Sequence, residues 1–317
     1  MDKLTKRIKD KRKNIKDNTI KSYIKSLRIL NDKKDFKNIS FLYNFDDIMK
    51  KIDEFKPATQ KAKLASVLVA LGTEDKKKDE LYKKYNDKLH SISKDYYKRI
   101  EDNKKTERES ENWVDLNKLM KVLNYHIRQI KKENIHKRDD KKLNKKQKRI
   151  LQDYLLASLY LLQPPRRNVY ADTKVISQKD FNELSETEKN DNNYLVLSSR
   201  NKKYFHFGDY KTKKKYGSQK VEVSKKLNSV INLWRHYNKD KEYLLYNTRG
   251  EKLTKNSLTK HLQKVFKVSG KNNISSSMLR HIYISSQVDN EAYKKMKKLA
   301  DKMGHSVDEQ QTTYYKK

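Results

Sequence analysis

Apolar positions recur at helical spacing along most of the chain. Between Thr19 and Leu30, the residues Ile20, Tyr23, Ile24, Leu27 and Leu30 step by three and four, which gathers them on one face and predicts a first helix. Pro57 opens a second run, Ala58, Ala62, Leu64, Ala65, Leu68 and Leu71 follow, and Gly72 closes it. Proline's fixed φ suits a first helical turn and glycine suits a last one. Leu81, Tyr85, Leu89, Ile92, Tyr96 and Ile100 then trace the clearest amphipathic helix of the sequence. The stretch from Lys104 to Asn112 is wholly polar, and apolar periodicity resumes only with Trp113, Val114, Leu116, Leu119, Val122 and Leu123. A domain boundary is expected there, giving a helical domain over residues 1–108 and a second domain over 109–317.

In the second part, the Lys-rich run from Lys131 to Arg149 reads as a solvated loop or helix face. Ile150 to Leu162 carries apolar residues on nearly every side, so it should form a helix buried all round. Pro164 and Pro165 cannot continue it, and Arg166 and Arg167 follow at once. Such a pair either clamps the helix's last carbonyls or receives an anion. Tyr194–Leu197, Tyr204–Phe207 and Lys220–Val223 are rich in aromatic or β-branched residues and predict a small antiparallel sheet, with Lys211 at the tip of its last hairpin. Helical spacing returns over Val230–Tyr237 and Leu258–Val268. With only six Gly and three Pro in 317 residues, an all-β plan is disfavoured. The expected fold class is mainly α (α+β): an N-terminal helical domain, then an α-rich domain carrying the sheet.

Composition narrows the partners. The 77 Lys and Arg against 41 Asp and Glu leave a formal charge of +36. A surplus of this size self-repels unless something anionic compensates it, and duplex nucleic acid is the densest intracellular candidate; an anionic membrane surface and a merely Lys-rich composition are the alternatives. Apolar residues make up 34% of the chain, so the core is thin, but 21 tyrosines can each bury a ring and keep a polar tip. No cysteine is present, which removes disulfides, thiolate metal sites and cysteine nucleophiles. No apolar stretch reaches the roughly 20 residues of a membrane helix, and the first residues mix acids with bases, unlike a signal peptide. An intracellular protein with no membrane association is expected.

The candidate chemistry lies near the C-terminus. Leu279-Arg280-His281, Gly304-His305-Ser306 and a tyrosine nine positions after His305, at Tyr314, occur in that order. Together with an arginine after a buried helix and a lysine at a hairpin tip, they resemble the tyrosine recombinase (phage-integrase-like) family. The resemblance covers the second domain by motif and the first only by helical pattern, as a core-binding domain.

Cutting a phosphodiester without metal or nucleotide needs a nucleophile on phosphorus, donors for the charge on the non-bridging oxygens and an acid for the leaving oxygen. Arginine stays charged and presents a planar fork to phosphate. The resemblance implies that Arg166 and Arg280 clamp the scissile phosphate, Lys211 protonates the 5′ oxygen and His305 donates to the phosphate. Tyr314 would attack, forming a 3′-phosphotyrosyl link. Arg167 competes with Arg166: Val169 and Tyr170 stand where the family carries an acidic residue after the arginine, so the register is open by one. Lys213 competes with Lys211, and Tyr315 with Tyr314. Where the family has His or Lys three positions before the second arginine this chain has Ser277, so the base on the tyrosine is Ser277, water or none. His281 is read as a buried histidine hydrogen-bonded to backbone, with a catalytic role as its alternative. No cofactor and no metal are implied.

The expected activity is site-specific DNA recombination or integration on double-stranded DNA by a homotetramer on paired DNA sites, with an accessory DNA-bending protein as a further partner. Only Lys316 and Lys317 follow Tyr315, so any exchange of tails between subunits would use the segment before the tyrosine. A type IB topoisomerase or telomere resolvase would share the chemistry, and a non-catalytic nucleic-acid-binding protein would use the cations for affinity and the terminal tyrosines for packing or stacking. The Lys/Asn-rich composition hints at a viral or mobile element.

Overall fold

The computed structural model describes residues 2–74, 79–101, 105–137, 142–199 and 202–314. Contacts divide the chain into two units, Met1–Lys105 and Thr106–Lys317. In the first, the described residues form the α-helices α1 (Asp2–Lys11), α2 (Asp17–Leu30), α3 (Phe45–Asp53), α4 (Pro57–Gly72) and α5 (Glu80–Glu101), with a 3-10 turn at Ser40–Tyr43. Pro57 is at the first turn of α4, as its spacing predicts, and this helix lies at the centre of the unit's core, with Leu64, Val67, Ala70 and Leu71 all shut from solvent. Tyr85 of α5 crosses that core to donate its hydroxyl hydrogen to the Leu42 carbonyl at 2.8 Å. Helices α1 and α3 have no counterpart in the sequence reading.

The second unit opens on α6 (Glu107–Asn112), α7 (Leu116–Lys132) and α8 (Lys145–Leu161). Much of the polar stretch at the expected domain boundary is therefore helical, because Thr106 and Glu109 close a reciprocal capping box over the first turn of α6. Likewise α8 starts five residues before Ile150, where Asn144 and Gln147 form a second capping box. The Lys-rich stretch before it also supplies core residues, since Ile135 and Leu143 are buried. Helix α8 is the unit's central element, with Leu151, Leu155, Leu156, Leu159 and Tyr160 sealed inside.

Strand β1 (Lys174–Ser177) leads through the short helices α9 (Gln178–Glu183) and α10 (Glu186–Asp191) to β2 (Asn193–Leu197), then β3 (Lys203–Phe207). The one-turn helix α11 (Lys213–Tyr216) separates β3 from β4 (Gln219–Glu222). The sheet has the order β1-β2-β3-β4, with β1–β2 parallel and the other pairs antiparallel. This corrects the expected antiparallel sheet to a mixed one. A strand of four half-buried residues carries little alternation, and its pairing is set by the crossover through α9 and α10, long enough for a parallel return. Further along come the α-helices α12 (Lys225–Tyr237), α13 (Lys255–Phe266), α14 (Ser276–Gln287), α15 (Asn290–Met303) and α16 (Val307–Glu309), followed by a π-turn at Gln310–Tyr314. Trp234, Phe205, Phe207, Leu262 and Phe266 join α8 in one continuous core. No helix among the described residues is long and apolar enough to cross a membrane.

Candidate active site

The two arginines after α8 are held differently. Arg166 is half-buried; its Nη1 donates to Gln219 Oε1 at 2.7 Å and its guanidinium lies over the Phe207 ring, 4.6 Å from the centroid. Phe207 and Gln219 are directly paired across β3 and β4, so Arg166 sits across the base of the hairpin that carries Lys211. Beneath it, Tyr170 packs edge-on against Phe205 and Phe207 and accepts a hydrogen bond from Gln163 at 2.7 Å. Burial pushes the Tyr170 hydroxyl up to about 12, against the pull of Gln163 and Arg166. Arg167 is exposed, and its carbonyl accepts from the Tyr160 hydroxyl at 3.3 Å and from the Val169 amide at 2.7 Å.

The next residue ties this loop to the second motif. Asn168 Oδ1 accepts from the Ser276 hydroxyl at 2.6 Å, and its Nδ2 donates to Thr259 Oγ1 at 2.8 Å and to the Lys255 carbonyl at 3.0 Å. Ser276 and Arg280 are one helical turn apart and stack on one face of α14, which turns Arg280 toward the loop of Arg166 and Arg167. The Arg280 guanidinium is held below its ordinary range by burial, then by the charge of Arg167, then by that of Arg166. Among the described residues, no Asp or Glu forms an ion pair with any of the three. Three like charges thus lie close together with no counter-ion among the described residues.

Lys211 lies in the turn between β3 and α11; it is exposed, and among the described residues its ammonium has no hydrogen bond or ion pair. Lys213 is instead committed to the Asn190 carbonyl. The loop itself is braced on both sides. The Asn193 side-chain amide grips the Asp209 backbone, donating to its carbonyl at 3.0 Å and accepting from its N–H at 3.1 Å, and Lys255 meets the Asp209 carboxylate at 3.3 Å. Across the loop, Tyr210 donates to the Gly217 carbonyl at 2.6 Å. Gly208 presses so closely on the end of α10 that a Cβ would stand 1.9 Å from the Lys189 carbonyl oxygen.

Ser277 and His281, also one turn apart, share an exposed face of α14. His281 Nδ1 is 2.9 Å from Glu109 Oε1. This corrects the expected buried histidine bonded to backbone: the ring is on the solvent side, paired with a carboxylate that α6 brings to it. Burial raises the Glu109 carboxyl, but hydrogen bonds from the Thr106 amide and hydroxyl, with His281, hold it below the usual range. His305 follows Gly304, whose φ of 77° caps α15, and its Nδ1 is 3.2 Å from the Ser306 carbonyl oxygen. Tyr314 ends the π-turn by its backbone; its side chain, and all of Tyr315, lie outside what the structure describes. The structure therefore brings together Arg166, Arg167, Arg280 and the loop of Lys211. His305 and Tyr314 are carried on the segment that follows α15.

Gly208, Gln219, Asn193 and the Asn168–Ser276 bond are absent from the sequence reading. None of them carries a legible signal: the sequence pattern begins the last strand at Lys220, whereas β4 begins one residue earlier, at Gln219. No three His, Asp or Glu side chains among the described residues are grouped to hold a metal ion. No protein-family model and no curated protein matches the chain.

Proposed function

We propose that this protein is a DNA strand transferase of the tyrosine recombinase type, with an N-terminal core-binding domain and a C-terminal catalytic domain. The observation that carries the reading is the cluster of Arg166, Arg167 and Arg280, which has no carboxylate partner among the described residues, beside the loop of Lys211. Keeping three guanidinium groups together costs free energy that only an anionic ligand offsets, and forks in this arrangement suit the non-bridging oxygens of a phosphodiester. Lys211, exposed and uncommitted, suits the leaving oxygen better than Lys213, whose ammonium is engaged by the backbone. His305 would add a donor and Tyr314 the nucleophile, supplied by its own subunit or by a neighbour in a tetramer on paired DNA sites.

The electron pair of the Tyr314 phenolate would form the new O–P bond while the 5′ oxygen leaves with a proton from Lys211. The phosphotyrosyl bond keeps the energy of the broken one, so another 5′-hydroxyl can reverse the step. The net charge supports duplex DNA as the partner, held mostly through phosphates.

The test is incubation with nicked suicide DNA in chelator, followed by a denaturing gel. A covalent adduct should form, be lost in Tyr314→Phe and persist in Tyr315→Phe. No adduct on any duplex, including the flanks of the encoding element, would refute the enzymatic reading in favour of a binding protein.

A further inference from the structure

We propose that Gln219 is a positioning residue that orients the Arg166 fork and couples it to the loop of Lys211. The inference rests on the strand-transfer reading for its chemistry, but its geometry stands alone. Three residues after Arg166 the chain places Val169, which is buried in the core and offers no polar group to the guanidinium. The fork is fixed instead from across the sheet: Gln219 Oε1 accepts from Nη1 at 2.7 Å while Phe207 supports the flat face at 4.6 Å. Because Phe207 and Gln219 are register partners at the base of one hairpin, a displacement of that hairpin moves Lys211 and the support of Arg166 together. The acid and one phosphate clamp therefore come into place as a unit.

The neutrality of the amide matters. A carboxylate at position 219 would grip Arg166 equally well but cancel one charge of the cluster. An amide oxygen sets the orientation and leaves the charge for the substrate. Glu222, the acidic residue of β4, is turned to Lys220 at 3.3 Å instead.

The test compares Gln219→Leu and Gln219→Glu in wild-type and Arg166→Lys backgrounds, reading the adduct rate on nicked suicide DNA at saturation and the salt dependence of duplex binding. Gln219→Leu should slow adduct formation about tenfold or more, the scale of one charge-assisted hydrogen bond, with an unchanged salt slope. In Arg166→Lys, which has no fork to orient, it should cost at most about twofold. Gln219→Glu should lower the slope of log affinity against log salt by about 0.9, one phosphate contact. An equal loss in both backgrounds, or none in either, overturns the proposal. Should wild type form no adduct, the enzymatic reading fails and the positioning claim is read by NMR. The Arg166 Nε–H is expected to be ordered in wild type and mobile in Gln219→Leu, and equal mobility in both refutes it.

Discussion

Gly208→Ala isolates the device that fixes the lysine-bearing loop. The added methyl would meet the Lys189 carbonyl oxygen at 1.9 Å, the Asn192 carbonyl oxygen at 2.6 Å and the Asn190 carbonyl carbon at 2.9 Å. All three are backbone atoms and cannot rotate aside, so the end of β3 must lift. Lifting breaks the Gly208–Asn192 bond of 3.0 Å and the two bonds between Asn193 and Asp209, at about 1 kcal/mol each. Residual overpacking adds about 1–3 kcal/mol, and the stiffer unfolded chain returns about 0.4–1 kcal/mol. The net loss is about 3–6 kcal/mol. Gly217→Ala is the control: its φ of 65° strains a side chain, but nothing lies within 4 Å, so only about 1–3 kcal/mol is expected. Both tryptophans, Trp113 and Trp234, belong to the second unit, so urea unfolding followed by tryptophan fluorescence reports that unit. A loss below about 1 kcal/mol for Gly208→Ala, or a Gly217→Ala loss that exceeds the Gly208→Ala loss, would show that the loop is not seated on α10 as described.

Arg167→Ala and Arg280→Ala should each lower the salt slope of duplex binding by about 0.9, measured by fluorescence anisotropy; an unchanged slope would remove that residue from the phosphate surface. Thr106→Ala should destabilise the second unit by about 1 kcal/mol through loss of the α6 cap, checked by the same urea transition. His126 is held below its ordinary 6.5, chiefly by burial, against the Val265 carbonyl and Asp153 and with the help of His261. Its neutral form is the one the fold accepts, so this stability is full above pH 6.5 and is lost as pH falls toward the depressed value. His126→Gln should flatten the urea midpoint across that window, and an unaltered slope against pH would contradict the assignment.

The main architecture was legible because it rests on local periodicity. Leu81 to Ile100 announces α5, and Ile150 to Leu162 announces a helix with no solvent face. What escaped depends on partners distant in sequence or on polar capping. Nothing in Lys174–Ser177 shows that it pairs with β2 until the crossover is folded, and Glu107–Asn112 is a helix only because Thr106 and Glu109 cap each other. At the proposed site, the resemblance to tyrosine recombinases singled out the arginines and Lys211, and the fold places Arg166, Arg167, Arg280 and the loop of Lys211 near one another. Their supports were illegible: Gln219 and Asn168 are ordinary amides whose role exists only through Arg166 and Ser276, and Gly208 carries no motif. His281 was misread because its partner, Glu109, lies on a helix that periodicity does not reveal.

The central claim is that these groups divide the work on one phosphorus atom. It is tested most directly by single-turnover adduct rates of wild type, Arg166→Ala, Lys211→Ala and Arg280→Ala on an ordinary suicide duplex and on one whose scissile 5′-bridging oxygen is sulfur, a leaving group that needs no proton. Sulfur should restore Lys211→Ala to near the wild-type rate while both arginine variants stay about 100-fold slow or worse. A Lys211→Ala enzyme that remains slow on the sulfur substrate, or arginine variants rescued equally by it, would contradict the assignment.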